Sequence, residues 1–518
     1  MTAHRPIRGP AGIPGRWLLC GAACCLAAMA AAADHTTYVV ALPGANRDTL
    51  AAVEALGGVI DHFDGREARA YIHADHWERF QAAGLPHAIV EVQPRDAKAL
   101  AEYPSYAAIG DILAQAAEDH PDIVRLFSLG RSVQGREIWA ILITDQPDVE
   151  EDEPEFAYIS TLHGDEPVGT VLCLNFLSDL LAGYGNDPGV TDLVNETAIW
   201  LVPLANPDGY TLGIRWNANN VDLNRAFPEF SRDFTGTVFD LGAPDTAGRQ
   251  PEVAHLMRWT AEQSLVLGAN YHTGALLVNY PYDEEPGIPS GSDAPTPDDP
   301  LMRDISSAYA ERNPPMFNSP AFPGGVSNGS AWYSISGGMQ DWQYRYAGMV
   351  NVTLEVSNIK APASAALAGL WEENRAAMFA YLDLVHRGAR GVVTDRVSGA
   401  PLHARVLVDD NPQPVFTDSD AGDYHRMLLP GTYTLRVEAP GYIPFVVRGV
   451  TVDGNGATRA DAALSTGDVN RDGDVNAADL QLVINAVLEL NNLPDADVDG
   501  GGVGATDVQH LVNRVLRR

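Results

Sequence analysis

The sequence predicts an α/β protein whose largest unit is built on parallel strands, with a small α/β module before it and a β-sandwich and a small helical module after it. Three observations carry this. Short, mainly apolar runs at Phe156 to Ile159, Leu265 to Tyr271 and Met349 to Leu354 have the texture of strands buried on both faces. Pro167 followed by the apolar-periodic run Val168 to Leu181 reads as the helix behind the first of them. Beyond Arg387 the pattern changes to short alternating runs broken by Gly, Pro and Asp, as in an all-β unit. A chain of 518 residues is too long for one core, so three or four domains are expected.

At the N-terminus, Arg5, Arg8 and Arg16 precede an alanine-rich apolar stretch, Trp17 to Ala33, which is short for a membrane span and ends in small residues. A signal peptide over residues 1–33 is expected, with a lipid-anchored Cys24 as the alternative, although the preceding Gly-Ala-Ala lacks the usual leucine. Cleavage near Ala33 leaves Cys173 as the one cysteine of four, and hence no intramolecular disulfide. No later stretch is long and apolar enough to span a bilayer. The net charge of −34 excludes a nucleic-acid binder, whose footprint is basic, and fits a secreted protein.

Residues 34–95 read as strand, helix, strand, helix, strand: Tyr38 to Leu42, Thr49 to Leu56, Ala68 to Ile72, Ala74 to Ala83 and Ala88 to Val92. This looks like the small α/β module found as a propeptide in secreted proteases; a packed N-terminal extension is the alternative. A linker around Gln93 to Ala99 leads to a helix at Tyr106 to Glu118, and the main domain occupies residues 96–388.

The chemistry concentrates where the apolar runs end. His163 and Glu166 follow the first run, His272 the second and Glu355 the third, and α/β sheets place their sites at the carboxyl ends of strands. An isolated His-x-x-Glu pair is expected about once by chance in a chain with 14 histidines. Its position between strand and helix, with a second histidine and a carboxylate in like surroundings, makes it a candidate catalytic zinc site: zinc takes nitrogen and oxygen donors and keeps one of four positions open for water.

Seven ordered segments support a more specific reading: Gly130 to Trp139, His163-Gly-Asp-Glu166, Asn206-Pro-Asp-Gly209, Arg215 to Arg225, Asn270-Tyr-His-Thr-Gly274, Trp332 to Asp341 and Thr353-Leu-Glu-Val-Ser357. From roughly Tyr103 to Leu464 the chain resembles the zinc carboxypeptidases, in the branch of the regulatory carboxypeptidases E, D, N and M. That resemblance implies a mixed-sheet carboxypeptidase domain in which His163, Glu166 and His272 hold zinc and Glu355 is the general base on the attacking water. It assigns Arg215 to the scissile carbonyl and its oxyanion, and Asn224 and Arg225 to the substrate's terminal carboxylate. Tyr333 matches the mobile tyrosine that closes over that end. Asp283, eleven residues after His272, and Gln340 match pocket residues that favour terminal Arg or Lys; otherwise Asp283 simply begins the acidic loop Asp283-Glu-Glu-Pro286.

Residues 389–465, with Gly391-Val-Val-Thr, Ala404 to Val408, Gly431 to Glu438 and Phe445 to Arg448 as strands, read as a small β-sandwich. Through Asp423 to Tyr433 it resembles the transthyretin-like domain that follows the catalytic domain in regulatory carboxypeptidases. Residues 466–518 open with Asp468, Asn470, Asp472, Asp474 and Asp479 at calcium-loop spacing, Gly473 at the sharp turn, and a helix at Leu480 to Leu490. A second loop with Asp497, Asp499 and Asp507 is one residue short and lacks an acid at position five, so its calcium is the doubtful one; the helix Val508 to Leu516 follows. The pair resembles a dockerin, which implies a cohesin-bearing scaffold as partner and attachment at a cell surface.

The expected function is thus a secreted, zinc-dependent metallocarboxypeptidase acting on peptide or protein C-termini, with Zn²⁺ and Ca²⁺ as its ions. The competing readings are an amidase acting on cell-wall peptides or another small amide, and a non-catalytic binding protein on the same fold.

Overall fold

The computed structural model describes residues 36–63, 66–93, 100–230 and 244–516; the expected signal peptide, with Cys20, Cys24 and Cys25, lies outside them. The first module contains β1 (Thr37–Pro43), β2 (Val59–Phe63), β3 (Glu67–His73) and β4 (Ala88–Gln93) in an antiparallel sheet ordered β2-β3-β1-β4. Helices Arg47–Ala55 and Ala74–Ala82 bury Leu50, Val53 and Phe80 against Val40, Leu42, Ala70 and Ile72. Strand β2 is additional to the sequence reading. Asp61 and His62 interrupt its apolar pattern, and pairing with β3, through a register shift between Ile60 and His62, holds it extended.

The main domain is a mixed eight-stranded sheet from β5 (Val124–Arg131), β6 (Glu137–Ile143), β7 (Glu155–Ser160), β8 (Ala198–Val202), β9 (Leu267–His272), β10 (Ala275–Tyr280), β11 (Val326–Asn328) and β12 (Val350–Ser357). Its order is β11-β10-β12-β9-β7-β8-β6-β5. The central four, β12, β9, β7 and β8, are mutually parallel. Strands β7, β8 and β9 are buried at every residue because both faces are covered. Phe156 and Tyr158 face a layer containing the helices Val168–Gly183 and Leu367–Asp383, while Ala157 and Ile159 face the helix Pro251–Glu262.

The following unit packs two small sheets around a shared core that includes Val393, Val406, Tyr424 and Leu435. One sheet joins β13 (Gly388–Asp395), β16 (Asp423–Arg426), β19 (Ala457–Arg459) and β20 (Ala462–Leu464); the other joins β14 (Arg405–Val408), β15 (Asn411–Phe416), β17 (Gly431–Glu438) and β18 (Phe445–Val452). The C-terminal helices run Ala477–Val487 and Ala505–Leu516, each beginning three residues before the sequence reading places it. For the first the cause is a capping box: Asn476 accepts at the helix start while the Asp479 side chain returns to the Asn476 amide, drawing the acidic residues into the first turn. This module shares a core with the sandwich through Ile443, Val469, Val483 and Leu511, and Val446 N–H donates to the Asp499 carbonyl at 2.9 Å. Among the described residues no single helix is long and apolar enough to cross a membrane.

Candidate active site

Adjacent strands bring the sequence-predicted residues together. Glu355 lies opposite His272 in the β12–β9 register, inside its strand rather than beyond its end, and Ser160 lies opposite Tyr271 in the β7–β9 register. His163 to Glu166 form the turn after β7, which starts at Thr161 with φ of 60°. A β-branched residue is strained there, and Thr161 is held by hydroxyl contacts to Ser160 and Thr170, both 2.9 Å. Gly164 is required by close approach: a Cβ would lie 2.0 Å from the Gly209 carbonyl carbon, so the turn and the Asn206 to Gly209 segment fit only without side chains at their contact.

His163, Glu166 and His272 converge. The two Nδ1 atoms lie 3.0 Å apart, with Glu166 Oε1 3.1 Å from His163 Nδ1 and Glu166 Oε2 2.9 Å from His272 Nδ1. All three side chains are buried. Two imidazole nitrogens aimed at each other and at a carboxylate fit a shared cation, and this donor set suits zinc. His163 Nε2 lies 3.0 Å from Asp222 Oδ1, a contact that places the proton on Nε2 and the Nδ1 lone pair in the site. Burial lowers the His272 pKa to about 4, against the opposing contact with the Glu166 carboxylate, so its ring is neutral and able to ligate.

Around this group lie the other predicted residues. Arg215 donates from Nε to Asp222 at 2.9 Å and from Nη1 to Glu166 at 3.4 Å. Glu355 Oε2 is buried with no hydrogen-bond partner among the described residues, and burial followed by the charges of Glu166 and Asp61 pushes its pKa well up. Asn224 and Arg225 form a short 3₁₀ turn, with the Asn224 side chain accepting from Met339 N–H at 2.9 Å. Asp283 is buried in the same cleft and accepts from Gln340 Nε2 at 2.8 Å and Asn279 Nδ2 at 3.2 Å. Burial raises its pKa to about 7, opposed by those hydrogen bonds and by Arg225.

Three residues enter the site that the sequence reading did not single out. Asp222 has a local signal, standing two residues before Asn224 in the same run. Lys360, five residues after Glu355, donates to Glu166 Oε1 at 2.8 Å. Asp61 comes from β2 of the first module, 3.1 Å from Lys360 Nζ and 3.4 Å from Arg215 Nη1. The same strand offers the Ile60 carbonyl to Arg225 at 3.1 Å and the Asp61 carbonyl to the Tyr333 hydroxyl at 3.0 Å. Val39 and Tyr71, on the sheet face opposite the module's helices, pack on Ile214 and Trp216.

Comparison with known proteins agrees with this architecture. Residues 109–377 match the zinc carboxypeptidase family, residues 388–465 the carboxypeptidase regulatory-like domain, and residues 466–516 the dockerin type I domain. The chain belongs to the zinc carboxypeptidase family. It is 38% identical to carboxypeptidase D of Mus musculus over 412 residues, 75% of this chain and 28% of that protein. Against carboxypeptidase M of Mus musculus identity is 36%, covering 66% of this chain and 79% of the relative, and against the human carboxypeptidase N catalytic chain it is 36%, covering 65% and 80%. The crystal structure of carboxypeptidase A from Helicoverpa armigera shares the fold, with a TM-score of 0.51 at 20% identity over 68% of this chain and 98% of that one.

In the dockerin-like module the two loops hold their acidic side chains differently. Asp497, Asp499 and Asp507 bring donor atoms within 4.8 Å of one another. In the first loop Asp468 accepts from Asp472 and Gly473 N–H at 3.2 and 2.8 Å, and Asp479 from Val469, Asn470 and Asn476 N–H.

Proposed function

We propose that this chain is a secreted metallocarboxypeptidase that hydrolyses the last peptide bond of peptides or proteins and prefers terminal Arg or Lys. The convergence of His163, Glu166 and His272 with Glu355 beside them and Arg225 along the same cleft is the observation that carries the reading. His163, Glu166 and His272 would hold zinc, which would supply Lewis acidity and a lowered pKa for the attacking water. Glu355 takes the proton of the attacking water and passes it to the leaving amine. Arg215, fixed by Asp222, faces the oxygen where negative charge develops. Arg225 and Asn224 bind the terminal carboxylate, Tyr333 closes over it, and Asp283 pairs with a basic side chain.

The first module governs access in this reading. Its Ile60 carbonyl and Asp61 carboxylate occupy Arg225 and Arg215, the cations assigned to the substrate, and Asp61 also pairs with Lys360, so residues 34–95 act as an inhibitory propeptide. The C-terminal module is a calcium-dependent dock for a cohesin-bearing scaffold outside the cell. Peptides ending in Arg, Lys, Phe or a D-amino acid, assayed before and after proteolytic removal of the first module, test the proposal. Release of single C-terminal Arg or Lys after removal is expected. Cleavage restricted to D-amino-acid peptides would favour a cell-wall amidase, and no turnover by the metal-loaded, trimmed enzyme a non-catalytic role.

A further inference from the structure

A second convergence of metal-binding side chains lies away from the active site, where the loop before β7 meets strand β16 of the sandwich. On β16 the side chain of Tyr424 turns inward to the sandwich core, so Asp423 and His425, one residue to either side, turn outward together. They meet Asp152 of the catalytic domain, and the three residues offer donor atoms within 4.8 Å of one another. Asp423 is 5% exposed and His425 8%.

Asp152 Oδ1, Asp423 Oδ1 and His425 Nε2 are all buried, and among the described residues none has a hydrogen-bond partner. His425 Nε2 stands 3.3 Å from Asp423 Oδ2 and 3.9 Å from Asp152 Oδ1. Orphaned buried carboxylates are costly, and three coincident orphans call for a common partner. Acidic and basic groups both border the cluster, Arg390 among the latter. Glu150, Glu153 and Asp418 line the adjoining space, while Arg459 engages the other oxygen of Asp152 at 2.5 Å. An open cleft of about 670 Å³ that includes Asp152, Glu153 and His425 provides the way in.

We propose that Asp152, Asp423 and His425 bind a second divalent ion, of the zinc and manganese class, that ties the β-sandwich to the catalytic domain. Two carboxylate oxygens and one imidazole nitrogen suit borderline ions, whereas calcium takes six to eight oxygens. The site is distinct from the proposed catalytic group, and it draws its ligands from two domains, so it would stabilise their seam without touching substrate.

The test uses the full-length protein, loaded with zinc in the presence of excess calcium and freed of loose metal by gel filtration. Mass-spectrometric metal analysis should find one zinc equivalent fewer in Asp423→Asn and in His425→Gln than in the wild type, with hydrolysis per molecule unchanged. Zinc titration of the metal-free wild type by calorimetry should resolve two binding events, which keeps the test decisive if a variant fails to fold. Equal zinc content in the wild type and both variants, or a single event in the titration, would overturn the site.

Discussion

Glu355 carries the sharpest residue-level expectation. Its carboxylate is buried, without a hydrogen-bond partner at Oε2 among the described residues, and lies beside the zinc-ligand candidates, the position a general base requires. Glu355→Gln keeps shape and removes basicity, so turnover should fall by at least about a hundredfold while metal content and folding stay near wild type; a metal-loaded variant retaining most activity would reject the role. Asp283 makes a different prediction through charge. Because burial lifts its pKa to about 7, the pocket of the free enzyme is increasingly neutral as pH falls below that value and anionic above it. For Arg- and Lys-terminated peptides, kcat/KM should therefore rise with pH through about 7 more steeply than for Phe-terminated ones. Asp283→Asn should abolish the difference and cost the basic substrates about 2–4 kcal/mol of transition-state binding. Parallel pH profiles for both substrate classes would show that Asp283 is structural.

At the scale of elements, the parallel strands and their terminal residues were legible because a doubly buried strand needs a run of apolar side chains and the chemistry follows where the run stops. Strand β2 was not, since five residues with Asp61 and His62 at the centre carry no period, and their extension depends on pairing with β3. Missing β2 meant missing Asp61, and with it the way the first module meets the cleft. Lys360 was equally hidden: the loop after β12 has no pattern, and only folding sets its ammonium beside Glu166. The β2 contacts lead to a prediction of their own. Asp61→Ala removes the carboxylate held by Arg215 and Lys360 but leaves the Ile60 carbonyl on Arg225, so the intact chain should gain activity by roughly tenfold, equivalent to about 1.4 kcal/mol of lost closure. Trimming the module should raise activity further and make the substitution silent. An intact chain already as active as the trimmed one would mean that the module is a packed extension and exerts no control.

Across the whole molecule, charge and covalent economy set how the parts cooperate. The chain carries 68 acidic against 34 basic residues, and Cys173, the one cysteine among the described residues, is buried and free, so burial and ion pairs hold the described parts together without a disulfide. The C-terminal module depends most on this. Its own core is small and is completed by Ile443 of the sandwich, while the carboxylates of Asp497, Asp499 and Asp507 crowd together beside the β18 strand that Val446 anchors. Calcium bound at these loops would relieve that repulsion, and its binding energy would become folding energy for the module. Calcium removal from the full-length protein should therefore lower the melting temperature of the C-terminal transition and leave peptide hydrolysis intact, because the candidate active site is built on other strands. Asp468→Ala and Asp497→Ala each test one loop. Spacing ranks the first loop higher, whereas the convergence of carboxylates favours the second, so the variant that loses more of the calcium response identifies which signal governs affinity. If neither variant nor chelation changes that transition at millimolar calcium, the module is a docked helical appendage rather than a calcium-dependent dock.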